Sequence, residues 1–350
     1  MNLRTLPALL MLALATGCPG PQPAKTGAAK TGAASADPKL KEAQMVAKAI
    51  YGPLPARADD PKHPSSPEKI ALGKALFYDG RLSKNGKISC NSCHKLDNFG
   101  VDGEPTSPGH TGERGTRNSP TVYNAALHTA GQFWDVREKD VEAQAKAPIL
   151  NPVEMGMGGG EEVVKVLEGI PGYVELFKAA FPGQDKPVTY DNLGEAVGAF
   201  ERTLMTPGRF DDFANGDLGA LNADEVAGLQ LFNSVGCSQC HTGPAFGGNA
   251  VKKLGEQVAW ESKDQGRFEV TKQESDRLMF KVPSLRNVAK TGPYLHDGSI
   301  ASLEEIVRKM AKHQLNKELD DDQVKKLVAF LGALTGRIDP SWTTAPTLPQ

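Results

Sequence analysis

The sequence carries almost no net charge: 40 basic residues against 42 acidic ones leave a formal −2. That excludes the strongly basic surface with which a nucleic-acid binder gathers phosphates. No apolar run reaches the roughly 20 residues that a membrane-spanning helix needs; the stretch Leu6 to Ala15 holds ten. Alternating apolar and polar stretches long enough for a sizeable sheet are also lacking. Cysteine is scarce, with five in 350 residues. Glycine (37) and proline (25) are plentiful, together about 18% against roughly 12% on average, so long loops should interrupt a helical pattern. Hydrophobic residues at 39% and charged residues at 23% exclude a largely disordered chain. The length exceeds what one core usually holds and favours two domains.

The N-terminus reads as an export signal. Arg4 precedes the apolar run, and small residues Ala15, Thr16 and Gly17 lead to Cys18. This resembles the lipobox of bacterial lipoproteins, which implies cleavage after residue 17 and acylation of Cys18. Residues 18–40 are rich in Ala, Gly, Pro and Lys and bury too little apolar surface to fold, so they are expected to tether a folded body to a lipid anchor.

The remaining four cysteines fall into two identical patterns. Cys90 and Cys93 end in His94, and Cys237 and Cys240 end in His241. Two cysteines three apart can form thioethers to the vinyl groups of one porphyrin while the next residue turns an imidazole to the iron; C-x-x-C-H is the c-type haem attachment signature. A redox C-x-x-C or a four-thiolate zinc site explains neither adjacent histidine. The motifs lie 147 residues apart, which suggests one haem per domain, with domains over residues 41–215 and 216–340 and a disordered tail at 341–350. Helix signals flank both motifs. Ser66-Pro67-Glu68 and Ala223-Asp224-Glu225 open helices before them, and Glu161–Ala180 (broken near Pro171), Thr189–Leu204, a helix capped by Ser302 and one over about Leu319–Leu334 follow. The expected fold is mainly α, two cytochrome c-like haem domains with long irregular loops.

The sixth iron ligand decides whether such a protein shuttles electrons or activates a small molecule. Downstream of His241 the candidates are Met279, His296, Met310 and His313, and after His94 they are His110 and His128. The residues alone leave these alternatives open.

The chain resembles the bacterial dihaem cytochrome c peroxidases. The resemblance rests on LGKALFYDGRLSKNGKISCNSCH, GTRNSPTVYNAA, QFWD, EAQAKAPILNPVEMG, GAFERTL, FKVPSLRNVAKTGPYLHDGS and LEEIVRKMAKHQL, in order from about residue 68 to residue 336. It implies that Met310, in M-x-x-x-Q-L with Gln314 and Leu315, ligates the second iron, and that His110 is the displaceable ligand of the first, with His128 structural. It further implies Glu154 as the acid/base for peroxide cleavage, Gln144 as its hydrogen-bonding neighbour and Trp134 as the aromatic residue between the haems. Asn118, Thr291 and Pro293 match a calcium site at the domain interface. The implied activity is reduction of hydrogen peroxide to water with electrons from a small cytochrome c or cupredoxin, in the periplasm, by a homodimer that meets the membrane only through Cys18. Two alternatives remain: a dihaem electron carrier, and a quinone-cofactor maturation enzyme, which carries tyrosine in place of the methionine ligand.

Overall fold

The computed structural model describes residues 37–350. The apolar run, Cys18 and most of the tether lie outside them. The described residues form helices α1 (Pro38–Ile50), α2 (Pro67–Tyr78), α3 (Cys90–Cys93), α4 (Val141–Leu150), α5 (Gly160–Glu168), α6 (Pro171–Ala180), α7 (Tyr190–Glu201), α8 (Arg209–Ala214), α9 (Ala223–Val235), α10 (Phe268–Thr271), α11 (Leu303–Leu315), α12 (Asp321–Ala333) and α13 (Pro340–Thr343). One short antiparallel pair, β1 (Val251–Lys253) and β2 (Met279–Lys281), is the whole sheet among them. The fold is mainly α with long loops, as expected. No described helix is long and apolar enough to cross a membrane.

The helices start where their caps are. Ser66 accepts from Lys69 N with Pro67 at the first helical position of α2, Thr189 accepts from Asn192 N at α7, and Asn222 and Glu225 cap α9 reciprocally. Pro171 opens α6 and so separates it from α5. At Ser302 only half of the capping box forms: its Oγ accepts from Glu305 N and donates to Glu304.

The chain repeats one arrangement twice. A helix leads into each C-x-x-C-H turn and packs on a later helix, α2 on α7 and α9 on α12. In both crossings a glycine lets the backbones meet. A Cβ on Gly73 would lie 1.8 Å from the carbonyl oxygen of Ala196, and one on Gly228 would lie 2.1 Å from that of Lys326. A second pair of equivalents follows the helices. Asn124 and Asn287 both sit in the left-handed region (φ 62° and 63°), and both donate from Nδ2 to the Oγ1 of Thr206 at 2.9 Å, where the two halves join.

Two hydrophobic cores result. The first spans Leu72 to Leu204 and includes Phe77, Tyr173, Phe177 and Phe200. The second gathers Phe210, Phe232, Phe246 and Phe330, with Tyr51 stacked on Phe246 at 4.1 Å. Two segments cross over in sequence: Ala43, Ala47 and Tyr51 before the first core, and Phe210 to Ala214 after it, all belong to the second. Residues 38–40, expected to be tether, already begin α1, because Asp37 caps it and Pro38 stands at its first position. The tail expected to be disordered is docked on the first core. Trp342 packs there, Tyr78 donates to its carbonyl at 2.8 Å, and Gly172 N donates to Gln350 O at 2.9 Å.

Candidate functional site

The second haem motif is positioned by the end of α9. Gly236 adopts φ 111°, open to glycine, and turns the chain directly into Cys237. His241 donates from Nδ1 to Phe246 O at 2.9 Å. That bond fixes the tautomer and leaves Nε2 free, the arrangement an iron-bound imidazole needs. His241, Cys237 and Cys240 line one apolar cavity together with Met310. Gln314, one turn on from Met310 in α11, holds the helix in place: its side chain accepts from Gly255 N at 2.6 Å and donates to Lys253 O at 3.0 Å.

The four candidate ligands separate clearly. Met279 is in β2, opposite Lys253, and His313 turns its Nδ1 to the carbonyls of Val258 and Ala259 at 3.0 Å. His296 lines the cavity, but its ring stacks on Phe280 at 4.3 Å and Nε2 meets Ser262 Oγ at 3.3 Å. Met310 is the candidate that faces the cavity with its sulfur uncommitted.

At the first motif, Ser89 N donates to the Oγ of Ser92 at 3.0 Å at the start of α3, and the Nδ1 of His94 is buried with no partner among the described residues. Burial lowers the pKa of His94 and so favours the neutral imidazole, the form that ligates a metal. The four cysteines are free thiols. Burial pushes Cys90 up to about 12 and Cys237 up to about 11. Each pair of thiols followed by a histidine suits covalent attachment of one haem.

His110 and Glu154 are brought together. The backbone N–H of His110 donates to Glu154 O at 2.8 Å, and its Nε2 meets Pro152 O at 3.0 Å. Glycine makes this contact possible: a Cβ on Gly109 would fall 1.7 Å from Val153 O, and one on Gly156 2.3 Å from the His110 Nε2. In this conformation the Nε2 of His110 is engaged by the loop. Glu154 accepts from Asn151 Nδ2 at 2.8 Å. Burial raises its pKa, opposed by the nearby Arg137 guanidinium and the Asn151 bond, and its charge is felt at Cys93. Gln144 is half-buried on α4, the helix that leads into this loop.

Trp134 is half-buried between the two halves. Its Nε1 donates to Asn118 O at 2.9 Å, and its own carbonyl accepts from Lys281 N at 2.8 Å. Asn118, Thr291 and Pro293 line the same cavity as Trp134. Asn118 donates from Nδ2 to Glu104 O and Pro105 O, leaving Oδ1 uncommitted. The Thr291 and Pro293 carbonyls accept no hydrogen bond among the described residues. Three neutral oxygens fit a weakly held Ca²⁺. His128 lines this cavity too, with its Nδ1 3.1 Å from the Lys281 Nζ. Lys281, inside FKVPSLRNVAKTGPYLHDGS, and Arg137, two residues after QFWD, also face the site, and no spacing in the sequence singles them out.

Comparison with known proteins places the chain in a family. Residues 67–219 match the family model described as di-haem cytochrome c peroxidase. The chain is 49% identical to the cytochrome c551 peroxidase of Nitrosomonas europaea over 78% of this chain and 81% of that one. It is 45% identical to the cytochrome c551 peroxidase of Pseudomonas aeruginosa over 83% and 86%. A solved structure of a MauG-like protein associated with microbial copper homeostasis superposes with a TM-score of 0.73 at 28% identity, over 84% of this chain and 97% of that one. With both haem motifs, their flanking helices and this extent of identity, the chain belongs to the di-haem cytochrome c peroxidase family.

Proposed function

We propose that the protein reduces hydrogen peroxide to water in the periplasm, with two electrons delivered one at a time by a small cytochrome c or cupredoxin. Cys237, Cys240, His241 and Met310 would hold the second haem, and Cys90, Cys93 and His94 would hold the first. Haem iron supplies one-electron redox chemistry and, with an open position, a place for peroxide. A methionine and a histidine together raise a haem's potential, which would make the second site the port of electron entry.

The chain's own residues supply the rest. Glu154 would accept a proton from one oxygen of hydrogen peroxide and return it to the other as the O–O bond breaks, a task suited to a carboxyl whose pKa burial raises. Gln144 orients the peroxide. His110 blocks the first site when its loop swings inward, and because its backbone is bonded to Glu154, the block and the acid/base move together. Trp134 lies between the sites. Ca²⁺ on Asn118, Thr291 and Pro293 would stiffen the junction that carries this coupling. Acylation at Cys18 would tether the protein to the outer membrane, and two copies would associate.

The observation that carries this reading is the half-buried Glu154, held by Asn151 and bonded through its carbonyl to the backbone of His110, a feature an electron carrier does not need. The presence of Met310 in the cavity argues against the tyrosine-ligated maturation enzymes; Tyr294, which also lines it, donates its hydroxyl to Val288 O at 3.1 Å. Steady-state peroxide reduction by the purified dihaem protein with a reduced small cytochrome c tests it. Electron uptake without peroxide turnover would identify a carrier instead.

A further inference from the structure

Lys281 is 5% exposed, yet no carboxylate bonds its Nζ. That nitrogen lies 3.1 Å from His128 Nδ1 and 3.2 Å from Gly131 O. The Nε2 of His128 is buried with no partner among the described residues. Room for the imidazole is made by Gly248, where a Cβ would fall 2.1 Å from His128 Cδ2. Both residues line the cavity shared by His241, Met310 and Trp134, and the backbone of Lys281 holds the Trp134 carbonyl. The pair therefore has two states, differing by one proton and one positive charge, beside the port of electron entry.

We propose that Lys281 with His128 is a proton-holding pair that tunes electron entry at the second haem site: one proton from solvent forms an N–H bond at Lys281 Nζ when one electron arrives from the donor protein, and leaves when that electron passes on. The inference rests on the function proposed above. Its physical basis is linkage: an added electron favours the charged ammonium, and the ammonium equally favours the added electron.

The surroundings set the window. Burial pulls Lys281 down to about 7, opposed by the Asp135 carboxylate. His128 is held neutral, well below its ordinary value, by burial and by Lys281. The other groups facing the pair do not neutralise it. Asp135 is already engaged by Arg117 and Arg137, His296 stacks on the neighbouring Phe280, and Lys252 stands on the opposite strand. Lys281 is thus poised to gain or lose its proton near neutrality.

The test is a potentiometric titration of the dihaem protein across neutral pH, following the second haem by its absorbance. The wild-type potential should fall as pH rises, approaching a tenfold change in the reduction equilibrium per pH unit, about 59 mV for one electron. Lys281→Met should abolish the slope and lower the potential. Lys281→Arg, a fixed charge, should abolish the slope and hold the potential high. A flat wild-type potential overturns the proposal, and the wild type alone decides this if a variant fails to fold. A slope that survives in Lys281→Met also overturns it, because the proton then resides elsewhere, as on a haem propionate. The readout needs no peroxide turnover, so its failure is distinct from failure of the peroxidase reading.

Discussion

At single residues the account turns on which polar atoms are left uncommitted. Glu154→Gln removes a proton carrier and no iron ligand, so peroxide turnover should fall about 10²- to 10⁴-fold while both haem potentials stay close to wild type. Turnover within a few-fold of wild type would reduce Glu154 to a partly buried acid. Because burial raises its pKa, and the carboxylate is the form that accepts peroxide's proton, kcat/KM should fall as pH drops through that raised value. The Gln variant should lose this limb of the profile. Met310→His should lower the second haem's potential, since imidazole favours the ferric state more than thioether does; an unchanged potential would place the ligand elsewhere. The haem-attaching residues were legible because covalent chemistry demands a fixed spacing. Lys281 was not, because its place beside His128 is made across 153 residues of sequence and no local pattern announces it.

At the scale of elements, the two glycine-mediated crossings carry the architecture. Gly73→Ala drives a methyl into the Ala196 carbonyl, and such overpacking typically costs about 1–3 kcal/mol. Gly228→Ala does the same between α9 and α12. Each should lower the denaturation midpoint, whereas alanine at Gly332, where a Cβ would meet nothing, should not. The starts of α2, α7 and α11 could be read from Ser66, Thr189 and Ser302, whose side chains act within their own turn. The repeat itself also stands in the sequence, in SPTVYNAA and VPSLRNVA. Its meaning lies in the two asparagines that converge on Thr206, and that convergence is tertiary. The tail was misjudged for the same reason: its polar, proline-rich composition reads as loose chain, but Trp342 has a place waiting against Tyr123.

At the scale of the whole molecule, the halves are tied where function requires communication. Arg117 reaches Asp264 with bonds of 2.6 and 2.8 Å and also pairs with Asp135, next to Trp134 and one residue before Asn118. Under the proposed Ca²⁺ site of Asn118, Thr291 and Pro293, a chelator should slow peroxide turnover, because it would loosen this junction. His110→Gly should leave the oxidised first haem high-spin and reactive without prior reduction. A low-spin signal there, still dependent on reductant, would mean that another residue caps that iron.

The central claim is a division of labour, with electrons entering at Met310 and peroxide cleaved beside Glu154. Stopped-flow spectroscopy of the half-reduced protein mixed with hydrogen peroxide tests it most directly. The account predicts that the first haem changes spectrum at once, that the ferrous signal of the second is lost in the same turnover, and that Glu154→Gln slows the first event. Rapid loss of the second haem's signal with the first haem silent, or equal rates in the variant, would contradict it.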